Sequence, residues 1–201
     1  MKIRKKRYRP RRKKSTTYKI DKNCLAGRKY ENFLTFIKIH PDRAIVQMNT
    51  VEGKKGESCL LTLHFTTFSF MIAFKKDTNN SKSIIHFFND IYEKLGRELF
   101  MKLFPIILTD NGTEFSNPCA IEFDKEGLRR IHPKGHSWNS YTQRDINLMM
   151  TLINSYARET INNKSSHLLL KTLYGKEVLN IFNVTYIETD DINLTPSLIS
   201  K

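Results

Sequence analysis

One stretch constrains this chain more than any other: Pro105, then Ile106, Ile107, Leu108 and Thr109, then Asp110-Asn111-Gly112-Thr113-Glu114-Phe115. Four apolar or β-branched residues after a proline read as a short buried strand, and Asn111-Gly112 reads as the turn that ends it. Asp110 therefore falls at the carboxyl end of a strand. In an open α/β sheet that edge is where ligands bind. An acid there, beside a glycine that lets a phosphate backbone approach, suits a divalent metal. The simpler alternative is that residues 110–112 form only a turn, built from residue types that tolerate unusual backbone angles.

With 201 residues, 39% of them hydrophobic, the chain is long enough for one domain with a real core and extensions. Its formal charge of +14 is unevenly spread. Residues 1–14 hold ten bases (Lys2, Arg4, Lys5, Lys6, Arg7, Arg9, Arg11, Arg12, Lys13 and Lys14) and no acid. Removing those ten from +14 leaves +4 for residues 15–201, so the body is only mildly basic. Such an arm has too little apolar surface to fold alone and binds polyanions through counterion release, which makes DNA the expected partner. A membrane is not expected: the arm has no apolar stripe, no stretch reaches spanning length, and no apolar leader region follows the basic run. Cys24, Cys59 and Cys119 are odd in number and widely spaced, which fits structural thiols in a reducing cytosol rather than disulfides or zinc. His132 and His136 are four apart, but Pro133 and Gly135 between them argue against a helix and against a metal pair.

Along the chain, residues 1–14 form the basic arm, and 15–44 a linker with a short helix over 28–39 that ends at His40-Pro41. Residues 45–51, 59–65 and 68–74 read as three strands with short connections, hence an antiparallel meander. The period then turns helical through Ile84, Ile85, Phe88, Ile91, Tyr92 and Leu95, with Ser81 as the expected N-cap and Gly96 as the stop. Three antiparallel strands, a crossover helix and a strand able to pair in parallel with the first is the order of a ribonuclease-H-like mixed sheet, an α/β fold. Beyond the turn, residues 119–130 read as a short strand and connection. Residues 142–157 read as a helix opened by a Thr142/Asp145 capping box, with two further helices over 165–174 and 176–182. The polar tail from 186 to 201 is expected to be loosely ordered.

Four segments occur in an order that resembles a known family: residues 47–56, the strand at 60–63, residues 108–115, and Ile153-Asn154-Ser155-Tyr156-Ala157-Arg158. Together they resemble the integrase-like catalytic core of bacterial insertion-sequence transposases of the DDE class, over roughly residues 13–194. The Thr-Asp-Asn-Gly-x-Glu-Phe motif is common to integrase-type cores, and Asn49-Thr50-Val51-Glu52-Gly53 narrows the match. The resemblance implies DNA strand transfer by two-metal phosphoryl chemistry. Two Asp and one Glu would hold a pair of Mg2+ (or Mn2+) ions, one activating the attacking hydroxyl and the other stabilising the leaving oxygen.

On that resemblance Asp110 takes the place of the second acid, with Asn111, Gly112 and Glu114 as motif support. The first-acid position falls on Asn49, which offers a neutral oxygen and no charge. A unit charge pair is worth about 4 kcal/mol at about 4 Å and an effective dielectric of about 20, doubled for a divalent ion, so weak metal binding is expected. The third acid is missing as well. Relatives continue from a segment like residues 127–130 through a strand, an aromatic-proline loop and the glutamate helix. Here Ile131-His132 runs directly into Pro133-Lys134-Gly135-His136-Ser137-Trp138, as though a block had been excised near 131–133 within a core spanning 45–185. Asp145, about three dozen residues after Asp110, is a candidate substitute ligand, although its capping role accounts for it without metal.

Relatives also carry a helix-turn-helix ahead of the core for recognising transposon ends. Only the basic arm stands there in this sequence, so specific end recognition is not expected, while the arm suits holding DNA without sequence preference. The expectation is a transposase-type strand-transfer protein, catalytically defective, in the bacterial cytoplasm at the nucleoid and in contact with other transposase subunits. The alternatives are a non-catalytic basic DNA-binding protein or a transposase remnant without function.

Overall fold

The sheet is built from four strands whose side chains are almost all apolar on one face and mixed on the other. In the computed structural model, which describes residues 30–54, 56–109, 137–192 and 195, these are β1 (Val46–Glu52), β2 (Cys59–Phe65), β3 (Phe70–Lys76) and β4 (Ile107–Thr109), in the order β3-β2-β1-β4. β1 pairs antiparallel with β2, and β2 with β3, while β4 runs parallel to β1 with Val46 opposite Ile107 and Met48 opposite Thr109. This is the ribonuclease-H-like arrangement that the order of elements predicts.

The helices are α1 (Tyr30–Ile39), α2 (Ser81–Leu103), α3 (Gln143–Ser155), α4 (Ser166–Tyr174) and α5 (Lys176–Ile181). α2 carries the chain from β3, at one edge of the sheet, to β4 beyond β1. Its cap is Asn80, whose side-chain oxygen accepts from the Ser83 N–H at 2.9 Å, so the helix opens one residue before the expected Ser81 cap. Gly96 does not end it. With φ 70° and ψ 164° this glycine interrupts the helix, and the helix resumes to Leu103. The third strand also starts later than its apolar residues suggest. Thr66–Phe68 coil into a 3-10 turn and Ser69 takes a left-handed conformation (φ 52°), so pairing begins at Phe70.

Side chains alternate across each strand, and paired residues share a face. Val46, Phe65 and Phe70 therefore lie together, as do Met48, Leu63 and Ile72. Phe65 is the hub of this face, with ring centroids 5.6 Å from Phe68, 5.5 Å from Phe104 and 6.1 Å from Phe182. Phe74 meets Phe87 of α2 at 4.4 Å. A fully buried Leu or Phe of this kind contributes about 1.5–3 kcal/mol.

α3 is fixed by its own ends and by the sheet. The capping box is formed as the sequence predicts: the Asp145 N–H donates to Thr142 Oγ1 at 3.3 Å, and the Thr142 N–H donates to Asp145 Oδ2 at 2.7 Å. Arg158, just past the helix, donates to the carbonyls of Ile153 (2.9 Å) and Ser69 (3.0 Å) and to Ser166 Oγ, pinning the left-handed turn that opens β3. The polar tail is tied down at its start. The N–H groups of Thr185 and Ile187 donate to the buried hydroxyls of Thr151 (3.2 Å) and Ser155 (3.0 Å) on α3. The predicted strand at 119–130 lies outside the described residues.

Candidate functional site: the Asn49 end of the sheet

Asn49 is the middle residue of β1, a strand hydrogen-bonded on both sides, and is only 4% exposed. Its Cα partner is Thr62, whose hydroxyl donates to the Asn49 carbonyl at 3.0 Å. The side chain has no such support: Asn49 Oδ1 is buried and accepts no hydrogen bond among the described residues. An amide oxygen in that condition costs about 1–3 kcal/mol relative to a satisfied one, so it needs an explanation.

The same face of the sheet carries further polar side chains. Gln47, two residues before Asn49, is also buried, and its Oε1 lies 3.4 Å from His64 Nδ1 across the strand pair. Sequence reasoning passed over this pair because the two residues are 17 apart and neither stands in a motif. Glu52, three residues on from Asn49, leaves the opposite face of β1 and is exposed, where its Oε1 accepts from Asn79 Nδ2 at 3.0 Å. It is a solvated residue at the end of the strand.

β4 brings Thr109 opposite Met48, one register position short of Asn49. Asp110 itself, with Asn111, Gly112 and Glu114, lies outside the described residues, as do the ten basic residues of the arm. Asp145 sits at the exposed start of α3, where its Oδ2 also accepts from the Thr142 hydroxyl at 2.8 Å. Its carboxylate is engaged in the cap.

A hard divalent cation needs several oxygen ligands, most of them charged. Among the described residues no group of three or more His, Cys, Asp or Glu side chains could hold a metal ion. Asn49 Oδ1 is an oxygen without a hydrogen bond, but neutral and single. The described residues therefore do not make a magnesium site by themselves.

No protein-family model matches the sequence, and no curated protein matches it. Among solved structures the chain is similar to the catalytic core domain of HTLV-2 integrase, determined in complex with magnesium in a trimeric form. The identity is 17% and the TM-score 0.38, over 62% of this chain and 93% of that one.

Proposed function

We propose that this chain is a DNA strand-transfer core of the integrase and transposase type, derived from a bacterial insertion-sequence transposase, whose metal cradle is defective. The observation that carries the reading is the register of β4 on β1. Thr109 stands opposite Met48, so β4 reaches one register position short of Asn49, and the resemblance would make the acid that follows in the sequence its neighbour. Two adjacent parallel strands would then present an amide where such a cradle needs a first carboxylate and a carboxylate where it needs a second. The buried, unbonded oxygen of Asn49 fits a position that evolved to face a cation rather than a hydrogen-bond donor.

With one secure acid and no glutamate helix in the sequence, the cradle lacks the negative charge that holds two magnesium ions. Mn2+ binding by the full chain tests this. Asn49→Asp should tighten Mn2+ about tenfold or more, one favourable charge pair being worth several kcal/mol, and adding Asp110→Ala should cancel the gain. No gain in Asn49→Asp would overturn the pairing of the two positions. Strand nicking or joining by the unmodified chain on DNA with terminal repeats, abolished by Asp110→Ala, would overturn the defect.

A second reading rests on the ten bases crowded into residues 1–14. A chain that cannot cut can still occupy DNA, at the nucleoid, beside or against an intact transposase. Salt-sensitive DNA binding that disappears on deletion of residues 1–14 supports this role, and tight binding that survives the deletion counts against it.

A further inference from the structure

At the end of β4 opposite to Thr109, where β1 and β4 begin, a cleft of about 870 Å3 opens to the surface. Its walls come from three separate parts of the chain: Arg43 between α1 and β1, Arg97 and Met101 beyond the Gly96 kink of α2, and Tyr174 at the end of α4. The segments below it are clamped, since the Val46 N–H donates to the Ile106 carbonyl at 2.9 Å. Two acids share the rim. Glu98 is already ion-paired with Lys102 at 3.0 Å, and Asp42 is the chain neighbour of Arg43. Among the described residues neither the Arg43 nor the Arg97 guanidinium has an ion pair or hydrogen bond. Tyr174 rests its ring on Phe68 at 5.9 Å while its hydroxyl makes no hydrogen bond among the described residues. Met101, 61% exposed, adds an apolar wall.

We propose that this cleft binds a phosphate ester carrying a flat organic body, the chemistry of a nucleotide. Guanidinium forks match phosphate oxygens, the phenol hydroxyl supplies one more donor, and the thioether and ring offer a surface for a base. The volume suits a ligand of that size. None of these residues belongs to the Asn49 end of the sheet, so the inference stands apart from the strand-transfer reading.

The test follows the methionine methyl resonances of the full chain during titration with deoxyadenosine monophosphate, inorganic phosphate and a short single-stranded oligonucleotide. The expected result is a saturable shift of Met101 with the nucleotide, while the buried Met48, Met71, Met149 and Met150 stay still. In the double variant Arg43→Ala/Arg97→Ala, whose side chains are exposed and whose unchanged melting temperature would verify folding, affinity should fall about tenfold or more. Tighter binding of the oligonucleotide at Met101 assigns the site to a nucleic-acid strand, and tighter binding of the mononucleotide assigns it to a free nucleotide. Absence of a Met101 shift, equal affinity in the double variant, or inorganic phosphate binding as tightly as the nucleotide would overturn the proposal. Asn49→Asp should leave this titration unchanged.

Discussion

The side-chain amide of Asn154 pairs with the backbone of Met71 as a neighbouring strand would. Its Oδ1 accepts from the Met71 N–H at 2.8 Å, and its Nδ2 donates to the Met71 carbonyl at 2.6 Å. Four residues along the same strand, Gln143 repeats the arrangement, accepting from the Lys75 N–H (2.8 Å) and donating to the Ala73 carbonyl (3.0 Å). β3 is an edge strand, and its outward peptide groups are a template for pairing with another chain. Two amides on α3 close that edge.

Asn154→Ala should therefore be among the more damaging single changes in the described region. It leaves one buried N–H and one buried C=O unpaired, and a loss of about 2–4 kcal/mol is expected, read as a lower urea midpoint with a rise in aggregation on heating. Gln143→Ala, which is only partly buried, should cost about 1 kcal/mol. Equal small effects in the two variants would show that packing, not the amide pairing, holds α3 on the edge.

Asn49→Val makes the opposite prediction at the centre of the sheet. The amide oxygen it removes has no partner among the described residues, and a β-branched residue suits a central strand. Stability should rise by about 1 kcal/mol. A loss of more than that would mean the amide makes a contact that the chain depends on.

Asp145→Ala removes the acid of the capping box. Helix-cap losses run at about 1 kcal/mol, so the thermal midpoint should drop by a few degrees with the fold retained. Because the same carboxylate already accepts two hydrogen bonds from Thr142, the variant should leave Mn2+ binding unchanged. Weakened binding would return Asp145 to the ligand set.

His167, buried in the first turn of α4 against the ring of Tyr186 at 5.4 Å, is held below the ordinary imidazole range. Burial is the larger cause, and the positive Lys171 one helical turn away adds to it. The unfolded chain therefore takes up a proton more readily than the folded one. The stability tied to neutral His167 is fully present above pH 6.5 and is lost as pH falls through the lowered folded value. Melting temperatures taken from pH 7.5 downward should slope less in His167→Gln than in the unmodified chain, and parallel slopes would count against this account.

Local chemistry makes much of this fold readable in the sequence. The run of apolar residues from Cys59 to Phe65 is the observed β2, and Thr142 with Asp145 mark the start of α3 because a cap is decided within four residues. β3 starts two residues later than its sequence suggests, since Phe68 is drawn into the turn and Ser69 takes a left-handed conformation before pairing begins at Phe70. Gly96 looks like an end in the sequence because glycine more often stops a helix than bends one. The amide clasps were not legible at all, because Asn154 and Met71 are 83 residues apart and meet only through tertiary packing. At the candidate site, Asn49 lies in mid-strand as the sequence implied, whereas its buried oxygen and the Gln47–His64 neighbour emerge only in three dimensions.

The two hydroxyls that hold Thr185 and Ile187 lie on the helix that also carries the two amides. α3 is thus fastened along both flanks, to a strand that precedes it by some seventy residues and to a segment that follows it by some thirty. A rod gripped in this way cannot shift lengthwise without releasing both grips at once. Residues 71–75, 143–155 and 184–187 should therefore exchange their amide hydrogens as a single cooperative unit, although they are scattered over more than half the chain.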